Sequence, residues 1–380
     1  MSQINIQNMK EKDMDRKIPV GILGATGMVG QQYIRLLENH PWFTVVFVAA
    51  SERSAGKTYE NAVEGRWFMQ EQIPQTVKNL SVSPIDAIEE AKKRCRFVFS
   101  ALDGETAKIY EEQYAAAGIP VVSNASTHRM TPDVPMIIPE INPEHINIIS
   151  AQQKKRNWSS GFIAVKPNCS IQSYLTPLYA LHKKFKIKTV FVTTMQAVSG
   201  AGHPGVASLD ILDNVIPYIK GEEEKTENEP LKILGSIQNN EIVPCKDIKI
   251  AAHCNRVPTI DGHMACVSVG FETKPTREEI LHAWSTFKSE PQQLQLPSAP
   301  VHPIIYRDEP NRPQTRLDRD TEKGMATVVG RLRECTILDW RFVGLSHNTI
   351  RGAAGGGILN AELLVAKQMI EARAEETEEE

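Results

Sequence analysis

The feature that most constrains the fold is a glycine-rich turn between a strand pattern and a helix pattern. Residues 18–24 read IPVGILG, the next stretch reads ATGMVGQQYIRLLENH, and a second strand pattern, WFTVVFVAAS, follows. Gly24, Gly27 and Gly30 form a G-x-x-G-x-x-G string in this turn. A strand that leads through such a turn into a helix N-terminus is the setting in which the pyrophosphate of a dinucleotide binds. The turn therefore predicts a nucleotide site near the start of the chain.

The alternation of strands and helices continues to about residue 160. Strand patterns recur at 96–102 (RFVFSAL) and 118–124 (GIPVVSN), with a helix pattern between them. Alternating elements joined by right-handed crossovers predict an α/β fold with a doubly wound, Rossmann-type parallel sheet. After residue 165, longer strand patterns such as KTVFVTTMQAVSG and HMACVSVGFE are typical of an antiparallel α+β sheet.

This change of pattern predicts two domains. We expect a nucleotide-binding domain at 18–164 plus 347–370, where a final helix pattern returns, and a catalytic, substrate-binding domain at 165–346. A length of 380 residues suits two domains, because single cores stop growing at roughly 250–300 residues. The polar start (1–17) and the acidic end (371–380) are expected to be flexible.

Composition argues against several kinds of partner. The chain is 41% apolar and 23% charged with a net charge of −3, which gives no support for nucleic acid or a membrane surface. No run approaches the roughly 18 apolar residues of a membrane span, and the start lacks the apolar core of a signal peptide. The 6 cysteines are scattered without a C-x-x-C pair. This favours a reducing, cytoplasmic location and argues against a disulfide framework and a bound metal.

Cys169 is the candidate nucleophile. It lies in K-P-N-C-S-I-Q, between a strand-like run (FIAVKP) and a run with helical spacing (SIQSYLTPLYALHKKF). The free amides of a first helical turn favour negative charge, including that of a thiolate. The sequence therefore predicts a reactive thiol at the point where a strand passes into a helix.

Arg256 and His263 flank a loop in C-N-R-V-P-T-I-D-G-H. The segment P-T-I-D-G between two strand patterns predicts a β-hairpin, which would bring the two residues to the same end of a sheet. An arginine suits capture of a carboxylate, and a histidine suits proton transfer near neutral pH. Cys254 is a rival nucleophile, but its position within a strand pattern favours the core.

The end of the second strand pattern bears on the choice of cofactor. It reads Ala50-Ser51-Glu52-Arg53-Ser54. An acidic residue here would bind the ribose 2′-hydroxyl of NAD, whereas Ser and Arg suit the 2′-phosphate of NADP. In an extended segment, alternation places Ser51 and Arg53 on one side and Glu52 on the other. We therefore expect Glu52 to face solvent and NADP to be preferred, although a shift of one residue would make Glu52 the group that selects NAD.

A set of short motifs occurs in order along the chain. They are G-A-T-G-M-V-G, S-x-R-S-A-G-K, S-N-A-S-x-x-R-M, P-N-C-S, E-x-x-K-I-L-G, C-N-R-V-P-x-x-D-G-H, R-P-Q-x-R-L-D-R-D and G-M-x-x-x-V-G-R-L-R. The set resembles aspartate-semialdehyde dehydrogenase, and its archaeal and fungal branch most closely, over roughly residues 18–370.

The resemblance implies a role for each matching residue. Cys169 would form the acyl thioester and His263 would be the general acid/base. Six residues would bind substrate, with the first holding the α-carboxylate, the next three the phosphate and the fifth the amino group: Arg256, Arg129, Asn168, Lys232, Glu229 and Gln196. NADP would be bound by Gly24, Thr26, Gly27, Met28, Val29, Ser51, Arg53, Ser54, Ser100, Ser199, Gly200 and Asn348.

By the same resemblance, the expected reaction is the NADP-dependent interconversion of L-4-aspartyl phosphate and L-aspartate 4-semialdehyde, which supplies lysine, threonine and methionine synthesis. The substrates would be aspartate semialdehyde and phosphate, and the protein would form a homodimer or homotetramer through its second domain. Two alternatives stay open at this point. One is a malonyl-CoA reductase on the same fold, and the other is a nucleotide-sensing homologue without catalysis.

Overall fold

The computed structural model describes residues 17–371, so the predicted flexible ends lie outside the described residues apart from Lys17 and Glu371. Two six-stranded sheets organise the described chain, with a two-stranded hairpin beside them. The first sheet uses strands up to residue 165, and the second uses strands from residue 187 onward. The predicted fold class, a Rossmann-type parallel sheet followed by an α+β half, is confirmed.

The first sheet is parallel throughout and has the strand order β3-β2-β1-β4-β5-β6. Its strands are β1 (Ile18–Leu23), β2 (Phe43–Ala50), β3 (Val82–Pro84), β4 (Phe97–Ser100), β5 (Val121–Ser123) and β6 (Ile163–Val165). The chain proceeds outward from β1 in one direction and then from β4 in the other. Ligands of such sheets bind in the crevice outside the carboxyl ends of the strands, at this switch of direction.

The second sheet is mixed, with the order β10-β7-β11-β14-β13-β12. Its strands are β7 (Ile187–Gln196), β10 (Lys249–Arg256), β11 (His263–Phe271), β12 (Ile304–Arg307), β13 (Thr327–Glu334) and β14 (Trp340–Ser346), and the separate hairpin is β8 (Ser236–Gln238) with β9 (Glu241–Val243). The prediction of an antiparallel sheet is wrong for two pairs, because β10 runs parallel to β7 and β12 runs parallel to β13.

The predicted hairpin between β10 and β11 is also wrong. Strand β7 lies between them, parallel to β10 and antiparallel to β11. The loop at 257–262 passes over the end of β7, a span of about two strand spacings, or roughly 10 Å, that six residues cover easily. Arg256 and His263 nevertheless reach the same end of the sheet, because Arg256 pairs with Gln196 and Met264 pairs with Met195.

Thirteen α-helices connect and cover the sheets of the described chain. They are α1 (Met28–Leu37), α2 (Tyr59–Ala62), α3 (Gln75–Lys78), α4 (Ile88–Arg94), α5 (Gly104–Ala116), α6 (Ile149–Arg156), α7 (Leu175–Phe185), α8 (Ser208–Ile211), α9 (Glu222–Ile233), α10 (Arg277–Ser285), α11 (Glu290–Gln293), α12 (Thr315–Asp318) and α13 (Gly355–Ala366). Helix α13 packs against β5 and α1, so the end of the chain returns to the first sheet. The division into domains at residues 164 and 347 itself stays a prediction.

Candidate active site

A cavity of about 1180 Å³ opens at the carboxyl edge of the first sheet. It is lined there by residues that follow β1, β4, β5 and β6, among them Met28, Gly104 and Cys169. Gln196 and Arg256, at the ends of two strands of the second sheet, complete the lining. The cavity therefore lies where both halves of the chain contribute side chains, at the place expected for a ligand of a doubly wound fold.

Cys169 lies between β6 and a short 3₁₀ helix, Ser170–Ser173, which leads into α7. This is the strand-to-helix position that the sequence predicts. Its Sγ lies 3.2 Å from Nε2 of His263. Cys254, the rival nucleophile, is 1% exposed within β10 and is not among the residues that line the cavity.

The expectation that helix amides favour the Cys169 thiolate is wrong in its net effect. Burial raises the pKa of the thiol, and the nearby Glu222 carboxylate raises it further. The positive charges of Lys166, Arg129 and Arg256 act in the opposite direction. The first turn also offers less than expected, because the Asn168 side chain already accepts the amide of Ser170.

His263 is fully buried and has a defined tautomer. Its Nδ1 accepts the backbone amide of Ala197 at 3.0 Å, so in the neutral ring the proton resides on Nε2, which faces Cys169. Burial and the charge of Arg256 lower the pKa of His263 to about 3. The ring therefore stays neutral and presents an N–H donor to the sulfur.

Arg256 ends β10 and donates from Nη1 to the carbonyl of Ala197 at 2.8 Å. Gly200 lies against both Arg256 and His263: a Cβ at this position would be 2.9 Å from Arg256 Nη1 and 3.0 Å from His263 Cε1. The absence of a side chain at Gly200 keeps the space beside the thiol open. A carboxylate-bearing substrate can therefore approach Arg256 and Cys169 together.

A second group of charged residues surrounds Asn168. Glu229 accepts from Arg129 Nη1 at 3.0 Å and from the Asn168 backbone amide at 2.6 Å. Arg129 and Asn168 line the cavity, whereas Glu229 lies behind them, 2% exposed. Glu229 thus orients Arg129 instead of facing the cavity as the resemblance implies.

The structure does not bring Lys232 to the cavity. Its Nζ donates to the backbone carbonyls of Arg129, Thr131 and Val134 at 2.6–2.8 Å, and the side chain is 1% exposed. Lys232 is therefore a support for the loop that carries Arg129, and its placement in the phosphate pocket is corrected. Helix α9 contains the E-x-x-K spacing twice, and the first copy faces the cavity instead.

That first copy consists of Glu222 and Lys225, both of which line the cavity. Lys225 Nζ lies 2.9 Å from Glu222 Oε1. The same carboxylate accepts from Asn168 Nδ2 at 2.9 Å and from Gln196 Nε2 at 3.1 Å. Glu222 thus contacts the side chains of Lys225, Asn168 and Gln196 in this part of the cavity.

The glycine-rich turn has the backbone that the nucleotide prediction requires. Gly24 has φ +75°, and a Cβ there would lie 2.7 Å from the Ala101 carbonyl. At Gly27 a Cβ would meet only the Gly24 carbonyl, at 3.5 Å, so the turn is open at this point. No side chain of the described chain caps α1, and its first residues Met28 and Val29 line the cavity. A pyrophosphate can therefore approach the free amides of α1.

Two other residues predicted to bind the nucleotide, Thr26 and Ser100, do not line the cavity. Thr26 is half-buried, and its carbonyl accepts from Gln31 Nε2 at 3.0 Å. Ser100 ends β4, is fully buried and is not among the residues that line the cavity.

The segment after β2 is a turn, and the alternation argument for Ser51 and Arg53 is therefore wrong. The amides of Ser54 and Ala55 both bond to the Ser51 carbonyl, at 2.8 and 3.2 Å. Ser51, Glu52 and Arg53 are all exposed. Ser54 is fully buried, and its Oγ accepts from Arg66 Nη2 at 2.8 Å.

Asn348, one of the residues predicted to bind NADP, connects two other parts of the cavity wall. It donates to Ser199 Oγ at 2.8 Å and accepts the Gly262 amide at 2.8 Å. Ser199, Gly200 and Asn348 all line the cavity. The structure thus brings these three predicted residues together.

Similar known proteins identify the family of this chain. Residues 19–149 match the family described as semialdehyde dehydrogenase, NAD binding domain, and residues 178–351 match its dimerisation domain. The chain is 47% identical over 351 residues to the aspartate-semialdehyde dehydrogenase of Archaeoglobus fulgidus, covering 92% of this chain and 99% of the relative. It is 46% identical over 357 residues to the Schizosaccharomyces pombe enzyme, covering 92% and 99%.

The chain belongs to the aspartate-semialdehyde dehydrogenase family.

Solved structures of this family share the fold. The Candida albicans aspartate-semialdehyde dehydrogenase with NADP superposes with a TM-score of 0.85 at 43% identity, over 93% of this chain and 100% of that one. Aspartate-semialdehyde dehydrogenase II of Vibrio cholerae, in complex with ASA, gives a TM-score of 0.74 at 26% identity, over 92% and 99%.

The charged cavity residues that the sequence did not predict include Lys166, Glu222 and Lys225. Lys166 stands within the quoted motif around Cys169, and Glu222-x-x-Lys225 repeats the spacing of the pair that was chosen, so a signal existed for each. The family motif alone does not say which E-x-x-K copy faces the cavity.

Two absences in the described residues complete the description. No group of three or more His, Cys, Asp or Glu side chains between residues 17 and 371 could hold a metal ion. Over the same residues no helix is both long and apolar enough to cross a membrane.

Proposed function

We propose that this chain interconverts L-4-aspartyl phosphate and L-aspartate 4-semialdehyde, with NADP as its cofactor, in the aspartate pathway that supplies lysine, threonine and methionine. The observation that carries the proposal is the 3.2 Å contact between Cys169 Sγ and His263 Nε2 in a cavity that also contains Arg256 and Arg129. A thiol, a fixed hydrogen-bond donor and two anion-binding arginines are the groups that a phosphorylating aldehyde dehydrogenase needs.

In the oxidative direction the Cys169 thiolate attacks the aldehyde carbon and forms a thiohemiacetal. The Nε2–H of His263 is placed to donate to the oxygen that becomes negatively charged. NADP, when bound, supplies a hydride acceptor. Loss of hydride leaves a thioester on Cys169, which phosphate then displaces. In these reaction steps His263 acts as a hydrogen-bond donor, because its Nε2 already carries a proton and cannot accept one.

The substrate groups are assigned by charge. Arg256 binds the α-carboxylate, since its guanidinium has free donors beside the thiol. Arg129, Asn168 and Lys225 bind the phosphate, and Glu222 with Gln196 bounds the same region. Lys225 replaces Lys232 in this role because only Lys225 faces the cavity.

The residues at the nucleotide end fit NADP. The open turn at Gly27 and the uncapped start of α1 suit a pyrophosphate, and the exposed Ser51 and Arg53 suit a 2′-phosphate. The Candida albicans relative was solved with NADP. Glu52 is exposed in the same turn.

An assay of NADPH formation tests the function. With aspartate semialdehyde, phosphate and NADP, we expect NADPH to form, and coenzyme A in place of phosphate should support little turnover. Efficient turnover with coenzyme A would favour the malonyl-CoA reductase alternative, and NADPH binding without any turnover would favour a silent homologue.

We also propose a cytoplasmic homodimer or homotetramer. The match to a dimerisation domain at 178–351 supports self-association. Between the 3₁₀ helix Val198–Ala201 and α9, four large apolar side chains are exposed, as an interface requires: Leu209, Leu212, Val215 and Tyr218. Light scattering on the purified protein would show a monomer if this is wrong.

A further inference from the structure

The segment that follows β14 packs directly on the nucleophile. It contains a π-helix, Ile350–Ala354, in which the amides of Gly352 and Ala354 bond to carbonyls five residues earlier in the chain. Gly352 lies against Cys169: a Cβ at this glycine would be 2.8 Å from the Cys169 Cβ and 3.2 Å from its Cα. Single π-helical turns are rare and are frequently found at functional sites. The close approach leaves no room for a side chain at Gly352, so the backbone of this segment limits where Cys169 can lie.

The same segment forms part of the cavity wall. Asn348, which is predicted to bind NADP, and Gly352 both line the cavity. Asn348 is itself fixed, because it donates to Ser199 Oγ and accepts the Gly262 amide, both at 2.8 Å. One short stretch of backbone therefore lies against Cys169 and also carries a residue of the predicted cofactor site. Its position sets the distance between the two.

Arg351 ties this stretch to two other segments of the chain. Its Nη1 and Nη2 donate to the two carboxylate oxygens of Glu140 at 2.6 and 2.7 Å, and its Nε donates to Gln172 Oε1 at 3.1 Å. Gln172 lies in the 3₁₀ helix that begins directly after Cys169. Glu140 follows a stretch whose backbone bonds to Val165, at the end of β6. The guanidinium thus connects the neighbour of Gly352 to the chain on both sides of the nucleophile.

Arg351 does not face the substrate. Its side chain is 3% exposed and is not among the residues that line the cavity. Both Nη atoms are occupied by Glu140, which is also buried. A buried ion pair is weak evidence for stability, because both charges lose their hydration and apolar residues of similar volume often serve as well. The geometry that the pair imposes is then the better explanation for its place beside the nucleophile.

We propose that Arg351 is a positioning residue for the reaction. By binding Glu140 and Gln172 together, it holds Gly352 against Cys169 and keeps the sulfur at a fixed distance from the cofactor site. The inference rests on the proposed function, in which the aldehyde carbon bound to Cys169 gives a hydride to NADP. Transfer of this kind requires aligned reacting atoms, and a misplacement of about 1 Å can cost on the order of a hundredfold in rate.

Arg351→Lys is the main test, because a lysine keeps a positive charge for Glu140 but lacks the planar fork that also reaches Gln172. Two rates are measured in the full-length protein. In the apoenzyme, iodoacetamide alkylates Cys169, and mass spectrometry of its peptide gives the rate. With NADP and aspartate semialdehyde but no phosphate, the thioester is not displaced by phosphate, so the initial burst of NADPH gives the rate of thiol attack and hydride transfer in a single turnover.

We expect the two rates of Arg351→Lys to change in opposite directions. Cys169 is half-buried, and loss of the contact with Gly352 exposes its sulfur, so alkylation should become about threefold faster. Loss of alignment should slow the NADPH burst about tenfold. The steady-state KM for phosphate should stay near wild type, since the substitution does not touch Arg129. A change in thiol reactivity alone would move both rates in the same direction.

Gln172→Met removes only the hydrogen bond from Arg351 Nε, so it should show both effects to a smaller extent. Circular dichroism reports whether each variant is folded, and Gln172→Met replaces Arg351→Lys if that variant is not.

Arg156→Lys is the matched control. Both Nη atoms of Arg156 bind the buried carboxylate of Asp133, and neither residue is among those that line the cavity. Its alkylation and burst rates should match wild type. The proposal is overturned if either rate of Arg351→Lys matches wild type, or if Arg156→Lys shows the same changes. If the wild-type enzyme forms no NADPH from aspartate semialdehyde, the proposed function fails, while alkylation of the apoenzyme still tests whether Arg351 holds Cys169 in place.

Discussion

Cys169 Sγ lies 3.2 Å from Nε2 of His263, whose opposite ring nitrogen accepts the backbone amide of Ala197. The amide leaves only Nε2 for the proton of the neutral ring, so the hydrogen bond runs from His263 to the sulfur. This direction suits a thiolate, and later an oxyanion, better than it suits a thiol that must lose a proton. The geometry thus makes His263 a residue that stabilises negative charge instead of one that removes the thiol proton.

Cys169→Ser should lower kcat at least about a thousandfold while NADPH affinity and the melting temperature stay near wild type. A serine hydroxyl has a high pKa, and the neutral His263, with its proton on Nε2, cannot activate it. Steady-state kinetics and NADPH fluorescence titration measure both quantities. Cys254→Ser is the control, because Cys254 lies buried in β10, and it should retain most activity. Loss of turnover in the Cys254 variant alone would reverse the assignment.

Stability should fall on acidification because of His263. The unfolded ring takes up a proton near pH 6.5, whereas the folded ring resists protonation until about pH 3, so the unfolded state binds more protons between these values. Between pH 7 and pH 5 this costs about 2 kcal/mol of unfolding free energy. His263→Gln, which can still accept the Ala197 amide, should lose correspondingly less over that interval in urea denaturation.

His302→Gln provides the comparison for that measurement, since His302 is exposed. It should keep the full wild-type loss between pH 7 and pH 5. If the His263 and His302 variants lost equal stability, the acid sensitivity would have to come from other buried groups.

Structural features that depend only on residues close together in the chain could be predicted from the sequence. The strand, the glycine turn and helix α1 follow from local periodicity and from the need for φ +75° at Gly24. The position of Cys169 between β6 and a helical turn follows in the same way. The prediction that Arg256 and His263 reach the same end of a sheet was also correct, although the two strands that carry them do not form the predicted hairpin.

The predictions that were wrong concern features that depend on contacts between segments far apart in the chain. The loop between β10 and β11 is long enough for two arrangements: the two strands can pair directly, or a third strand can lie between them. In the structure β7 lies between them, which the local sequence does not reveal. The two E-x-x-K copies in α9 have the same spacing, and only the approach of the Arg129 loop to Lys232 tells them apart. Burial likewise outweighed the expected helix effect at Cys169.

Arg53→Ala should reduce the preference for NADP over NAD by roughly tenfold, because a charge-assisted contact to the 2′-phosphate is lost. The ratio of kcat/KM for the two cofactors measures it. Glu52→Gln is the control at the neighbouring exposed position, and its ratio should stay the same or increase. A wild-type preference for NAD, or a Glu52 variant that gains NADP activity strongly, would make Glu52 the residue that selects the cofactor.

The two lysines of α9 should separate phosphate binding from stability. Lys225 lines the cavity with its Nζ on Glu222, so Lys225→Met should raise the KM for phosphate at least about tenfold and change unfolding free energy little. Lys232 is buried and donates to three backbone carbonyls, so Lys232→Met should lower unfolding free energy by about 2–4 kcal/mol and leave the KM for phosphate near wild type.

The same substitution at both positions makes each variant the control for the other. Phosphate kinetics and urea denaturation on the same preparations give the four values needed. The carbonyls of Arg129 and Thr131 lie in the loop that holds the Arg129 side chain against Glu229, so a small rise in the phosphate KM of the Lys232 variant is compatible with loosening of that loop. A tenfold rise in the phosphate KM of the Lys232 variant, at unchanged stability, would contradict this assignment. Lys232 would then have to leave its three carbonyls and enter the cavity, and the second E-x-x-K copy would supply the phosphate-binding lysine.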